Sequence, residues 1–180
     1  MSARVRLAAL IVALSVAGVL AADWPQYYGP TRDSKSTEKG LLRTWPKEGP
    51  RVLWTVPVGI GYGGPVVAGG TLYLLDRDAK VGVPLGFLDF ATGKELWNFG
   101  YSAPGRFDHP GSRSAPTVDG DLVYTVGQLG DLYCSNASTH KPVWHKNIWK
   151  DFGGGQLPRW GITQNPLVYR NLLLVASQTP

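Results

Sequence analysis

Between Gly105 and Ser114 the sequence reads GRFDHPGSRS, placing Arg106, Asp108, His109 and Arg113 within one short loop. Cations beside a carboxylate and an imidazole suit the grip of an anionic or polar ligand, and loops on a rigid scaffold are where such groups gather. A second stretch, LPRWG at Leu157–Gly161, adds Arg159 and Trp160. The same residue types also cap turns and bond neighbouring backbone. That structural role is the expected one, and the six residues stand as candidate ligand- or partner-binding positions. No catalytic residue is assigned.

Other chemistry is weaker. GIGYGG, Gly59–Gly64, has the spacing of a dinucleotide-binding loop, with Asp78 at a suitable distance. That site needs a helix directly after the last glycine. Pro65 and the Gly69-Gly70 turn forbid one, so the stretch reads as a glycine-rich loop. His109, His140 and His145 lack metal-ligand spacing and the carboxylates are dispersed, so no metal site is expected. There is no G-x-S-x-G elbow and no C-x-x-C-H haem attachment. Cys134 is the single cysteine; it reads as a small buried hydrophobe rather than a reactive thiol. Asn136-Ala137-Ser138 is a formal glycosylation sequon, set in a tight turn.

The elements that must hold these loops are strands. Hydrophobic residues make up 43% of the 180 and charged residues 17%, enough to bury a core. With 23 Gly, 14 Pro, seven Trp and eight Tyr, the composition suits short strands joined by many turns. Three stretches repeat. Each opens on a tryptophan, Trp54, Trp97 or Trp144, and then reaches a proline that starts a strand, Pro65, Pro116 or Pro166. A hairpin follows each proline, turning at AGG, DGD and YRN. Repeats of this length made of four short strands are propeller blades.

The second unit shows the pattern. Thr117-Val118 is a strand, Asp119-Gly120 a hairpin turn, and Leu122–Val126 the returning strand. Gly127–Gly130 turns again, DLYCSN is a third strand and VWHKN a fourth. In FLDFATGKELWNF, Phe87–Phe90 and Glu95–Phe99 form a hairpin closed by Thr92-Gly93, with Gly93 free to take positive φ. Alternation places Glu95, Trp97 and Phe99 on one face and Leu96 and Asn98 on the other. The recurring tryptophans are expected to fill the wedge between blades rather than to stack on a ligand.

Arg4 and Arg6 precede an apolar run from Leu7 to Leu20, and Ala21-Ala22 offers small residues for cleavage before Asp23. This is the layout of a signal peptide, residues 1–22. The run is short for a membrane span; an uncleaved anchor is the other reading. The expected location is periplasmic or secreted, with no membrane span after cleavage. Net charge is +5, and +3 without Arg4 and Arg6; no basic run marks a nucleic-acid surface.

FLDFATGKELWNF resembles the repeat of pyrroloquinoline-quinone-like β-propeller proteins, roughly A-x-D-x-x-T-G-x-x-x-W. Asp89, Thr92, Gly93, Lys94 and Trp97 match it. The next unit keeps Thr139, Lys141 and Trp144 but has Asn136 for Asp and His140 for Gly, a degraded turn. DWPQYYGPTRDS resembles the start of exported members, with Tyr28 where Arg is usual. The resemblance implies an all-β, partial propeller of four-stranded antiparallel blades, preceded by a signal-peptide helix. Residues 23–50 form a lead-in and 51–180 about three blades. Propellers need four to eight blades, so a truncated or partial chain is expected, able to self-associate through open blade edges. Two functions follow from the resemblance. The preferred one is a non-catalytic envelope scaffold that binds a protein partner and needs no cofactor. The other is a fragment of a quinoprotein dehydrogenase acting on an alcohol or sugar with pyrroloquinoline quinone and calcium. Alcohol-type dehydrogenases also carry an adjacent cysteine pair, which one cysteine cannot supply.

Overall fold

The computed structural model describes residues 22–77, 82–103, 107–109 and 111–178. Residues 1–21 of the expected signal peptide, Asp78 and Arg106 lie outside the described residues. The described residues form three antiparallel sheets. The first joins β1 (Val66–Ala68), β2 (Thr71–Leu75), β3 (Val83–Asp89) and β4 (Glu95–Tyr101) in chain order. The second joins β5 (Thr117–Asp119), β6 (Leu122–Val126), β7 (Asp131–Asn136) and β8 (Pro142–Asn147) in the same way. The third holds β9 (Leu167–Tyr169) and β10 (Leu172–Leu174). A 3-10 turn at Lys150–Phe152 is the helical element among these residues. This is a partial all-β propeller.

Each unit opens with a two-residue hairpin. Gly69-Gly70 takes φ of 55° and 74°, the conformation glycine adopts without a Cβ penalty. The second hairpin differs from expectation by one residue. Asp119 pairs with Leu122, so Gly120-Asp121 forms the loop and Asp119 ends the strand. β1 follows the GIGYGG loop after Pro65, where a dinucleotide site would need a helix.

The core lies between the first two sheets. Val66, Tyr73, Leu75, Val83, Leu85 and Phe87 are each at most 4% exposed and cluster with Val123 of the second sheet. Burial of such a side chain contributes about 1.5–3 kcal/mol. Phe87 meets Tyr73 and Trp97 edge-on, both at 5.2 Å, and Tyr133 of β7 packs on Phe99 at 5.1 Å and Tyr101 at 4.6 Å. A second cluster, with Val126, Leu132, Ile148, Trp149 and Ile162, joins the second sheet to the segment before β9.

A bulge aims the tryptophans. β3 and β4 slip register at Phe87/Leu88, so Trp97 opposes Phe87 and Glu95 opposes Leu88, with Leu96 as the extra residue. Simple alternation therefore fails at Glu95. It joins Asn98 on the opposite face from Trp97, and its Oε1 accepts the Asn98 Nδ2–H at 2.8 Å. β7 and β8 slip identically, between Cys134 and Ser135, with Val143 as the extra residue.

Trp97, so aimed, meets the outer turn of the next sheet. The His140 ring stacks on its indole at 5.5 Å and 14°. One unit earlier, Trp54 meets Gly93: a Cβ there would lie 2.5 Å from the indole, whose Nε1–H donates to the Phe90 carbonyl at 3.1 Å. Trp54 does this from a segment, residues 51–59, that runs without a strand ladder among the described residues. Trp144 occupies the same place in the second sheet and is 38% exposed, with Tyr124 at 6.2 Å.

The two turns share one geometry. Asp89 Oδ1 accepts the Thr92 N–H at 2.8 Å and its hydroxyl at 2.6 Å, while the Gly93 N–H donates to Asp89 O at 2.8 Å. Asn136 Oδ1 accepts from the Ser138 and Thr139 N–H groups at 3.1 and 2.7 Å, and the His140 N–H donates to Asn136 O at 2.8 Å. Gly93 and His140 are both left-handed, at φ 70° and 61°. The turn degraded in sequence is thus intact in shape, because an amide oxygen accepts as a carboxylate does.

Two further sets of bonds tie the units together. The segments before the repeated prolines run side by side: the Tyr62 N–H donates to Ser112 O at 2.6 Å, the Ser114 hydroxyl to Gln164 O, and the Thr117 hydroxyl to Pro166 O at 2.7 Å. A Cβ at Gly63 would lie 2.2 Å from Ser114 O, so backbone approach explains a glycine of GIGYGG. Residues 23–34 then cross the first strand of every unit. Trp24 exchanges two backbone bonds with Val67, at 2.8 and 3.0 Å. Pro25 O accepts the Val118 N–H at 2.8 Å, and Arg32 Nη2 donates to Val168 O. Val67, Val118 and Val168 each stand two residues after the repeated proline.

Two outcomes follow. Gly93→Ala places a Cβ in the Trp54 ring at a left-handed φ, and should lower unfolding free energy by about 1–3 kcal/mol in urea titration. Thr92's hydrogen bonds hold the Asp89 carboxyl below the usual carboxylate range. Its folded value lies below the unfolded one, so the contribution is complete above the ordinary carboxylate pKa and is lost as pH falls through the lowered value. Asp89→Asn should therefore flatten the fall of Tm with pH below about pH 4, while the neutral-pH Tm stays close to that of the parent protein.

Candidate functional site

The polar loop residues resolve into two pairings. Arg159 Nε donates to Asp108 Oδ2 at 2.5 Å, bringing together the two stretches singled out in the sequence. Both side chains are more than half exposed, so solvent screening leaves this ion pair worth about 0–1 kcal/mol. Arg113 Nη2 donates to the His109 carbonyl at 2.8 Å, and its guanidinium lies 4.8 Å over the Tyr62 ring. The Arg113 Nε is buried and has no acceptor among the described residues. His109 is exposed and Trp160 is 51% exposed; among the described residues no hydrogen bond or ring contact joins either side chain to the Asp108–Arg159 pair. Asp108, Arg159 and Arg113 thus brace loops.

A tighter polar node was not anticipated. Arg77 Nη1 donates to Gln128 Oε1 at 2.6 Å, Nη2 to Ala103 O at 3.3 Å, and the guanidinium lies 5.4 Å from the Phe107 ring centre. Gln128 is 1% exposed, and its backbone carbonyl accepts the Ile162 N–H at 2.8 Å. The node therefore links all three units. Buried hydrogen bonds with one charged partner contribute about 1.5–3 kcal/mol each. Register supplies the missing signal: Tyr73 and Tyr124 oppose equivalent residues of β1 and β5, and Arg77 and Gln128 each lie four residues beyond them.

Among the described residues no three His, Cys, Asp or Glu side chains gather so as to hold a metal ion. A quinone–calcium centre needs oxygen ligands and a carboxylate base. Two open clefts bear on binding. One of about 670 Å³ lies between the hairpin ends of the first two sheets, with Asp23, Asp119, Asp121, Tyr73 and Ser138 in its wall. Another of about 390 Å³ lies between the first sheet and the Trp54 segment and is lined by Val56, Val58, Leu72, Leu74 and Leu88. The first is polar and acidic, the second apolar.

Cys134 sits within β7 at 0% exposure, and burial pushes its thiol up, opposed by a hydrogen bond with Tyr124. The native protein should leave this thiol unlabelled by a maleimide at neutral pH, with stoichiometric labelling in denaturant, read by intact mass.

No curated protein matches the sequence significantly. Solved structures that share the fold include two with a TM-score above 0.5. One is BamB from Moraxella catarrhalis, at TM-score 0.55 and 18% identity, covering 67% of this chain and 36% of that one. The other is a europium-containing methanol dehydrogenase, at TM-score 0.51 and 17% identity, covering 68% of this chain and 22% of that one. The chain spans about a third or less of either protein, and at such identity the likeness speaks for fold alone. No helix among the described residues is long and apolar enough to cross a membrane. A family model described as outer membrane protein assembly factor BamB matches residues 34–179, nearly the whole of the repeat region, and the chain belongs to that family of PQQ-like propeller repeats.

Proposed function

We propose that the protein is a non-catalytic binding scaffold of the cell envelope, exported to the periplasm or beyond, where its propeller surface docks a protein partner. The observation that carries this reading is the match of residues 34–179 to a family described as an outer membrane assembly factor. The site geometry supports it. Asp108, Arg113, Arg159, Arg77 and Gln128 are spent on bracing loops and units. Loops held on a rigid scaffold are where binding residues gather. Export fits the leader, and the mature fold has its anchor immediately after the proposed cleavage point. Asp23 Oδ1 accepts the Gly69 N–H at 3.1 Å and Trp24 bridges Val67.

Three measurements test this. The mature protein recovered from an envelope fraction should begin at Asp23 by mass spectrometry; an intact residue 1 there would replace cleavage with anchoring. Immobilised protein should retain one reproducible envelope protein, and the Asp108→Lys/Arg159→Glu swap should leave Tm unchanged within error while altering retention. Pyrroloquinoline quinone with calcium should leave the Tm unmoved. Saturable stabilisation by that pair would overturn the scaffold reading in favour of the dehydrogenase one.

A further inference from the structure

The lead-in between the strap and the first sheet carries all of the excess charge that follows the leader. Cations stand at every fourth residue, Lys35, Lys39, Arg43, Lys47 and Arg51, against two carboxylates, Glu38 and Glu48. From Asp23 on, the rest of the sequence holds eleven cations and eleven carboxylates and is neutral. Large apolar residues are interleaved with the charges. Leu41 falls midway between Lys39 and Arg43, and Trp45 midway between Arg43 and Lys47. Residues 35–48 form no helix or strand and are exposed apart from Glu38. Leu41 is 69%, Leu42 60% and Trp45 50% exposed. Lys35 pairs with Asp33 at 3.3 Å, and none of the other four cations forms an ion pair among the described residues. Glu38 Oε1 accepts the Ala22 N–H at 2.6 Å, so one of the two opposing carboxylates is turned to backbone.

We propose that residues 35–47 form a peripheral docking site for an anionic lipid surface. Headgroup phosphates attract Lys39, Arg43 and Lys47. Leu41, Leu42 and Trp45 enter the boundary between headgroups and acyl chains, where an indole is favoured. A dissolved polyanion meets the charge but leaves these three side chains in water; a lipid surface meets both. The segment lies on the surface rather than across it, because a cation follows every third uncharged or acidic residue. Both of its ends are held on the propeller, by Arg32 on Val168 O and by the Trp54 indole on Phe90 O. The proposal uses the export reading only to bring the chain beside a membrane, and partner binding plays no part in it.

The test uses the chain without its leader, residues 23–180, which keeps every strand described, because the apolar leader would itself bind lipid. Co-sedimentation with vesicles of phosphatidylglycerol in phosphatidylcholine should saturate and weaken steeply with added salt. Phosphatidylcholine alone should bind at least about tenfold less. Each cation near the surface is worth about fivefold, so Lys39→Gln/Arg43→Gln/Lys47→Gln should lower binding about a hundredfold. The matched set Lys141→Gln/Lys146→Gln/Lys150→Gln, on exposed cations of the second sheet and the turn after it, should leave binding unchanged. Leu41→Ser/Trp45→Ser should lower it at least about tenfold while keeping its salt dependence. Brominated acyl chains should quench tryptophan fluorescence, and Trp45→Phe should remove most of that quenching. Circular dichroism confirms that the variants fold. Equal binding to both vesicles, a triple lead-in variant that binds like the parent, equal loss in the matched set, or quenching indifferent to Trp45 would overturn the proposal. None of these outcomes depends on where the leader is cut, so failure here is distinguishable from failure of the export reading.

Discussion

An indole laid on the left-handed turn residue of the next sheet is the contact on which the propeller geometry depends. A tryptophan side chain buries up to about 250 Å², but its value here is positional. The bulge at Leu96 turns Trp97 away from Glu95 and toward the second sheet. The turn beyond must then bring a flat surface up to the ring. Gly93 does so by having no Cβ, and His140 by offering an imidazole nearly parallel to the indole. Asp89 and Asn136 hold those turns by accepting main-chain N–H groups, so the shape the two turns share is a hydrogen-bond pattern rather than a charge.

The outer contact would splay without a matching constraint at the inner ends. There the pre-proline segments exchange bonds from unit to unit, and Arg77, Gln128 and Ile162 link across all three. The segment from Asp23 to Ser34 crosses the first strands at equivalent valines, which fixes the units in a common frame. Asp108, Arg113 and Arg159 are engaged in bracing, and the exposed surfaces among the described residues include aromatic side chains and open clefts.

Much of the fold was legible because turn chemistry punctuates it. Gly120, Gly127–Gly130 and the Thr139 turn bracket β5 to β8 so closely that strand ends in the sequence and in the structure differ by one residue at most. The failures have physical causes. Glu95 was misplaced because a bulge inserts a residue that alternation cannot see. Asn136 and His140 looked degraded because residue identity changed while acceptor geometry did not. Of the candidate site, the Asp108–Arg159 pairing joins two polar stretches visible in the sequence, whereas Arg77 and Gln128 carry no local signal. Their meeting depends on register between units, which local periodicity does not carry. The strap from Asp23 to Ser34 was invisible for the same reason: it bonds mainly through backbone atoms.

The most direct test of the central contact is a double-mutant cycle on Trp97 and His140, using Trp97→Ala, His140→Ala and the double variant in urea unfolding. Alanine at 140 keeps the left-handed cost and removes only the ring. The account predicts a coupling of about 0.5–1.5 kcal/mol, as for other aromatic pairs. Losses that add within about 0.3 kcal/mol would mean that the two rings merely adjoin, and that the sheets are spaced by something else.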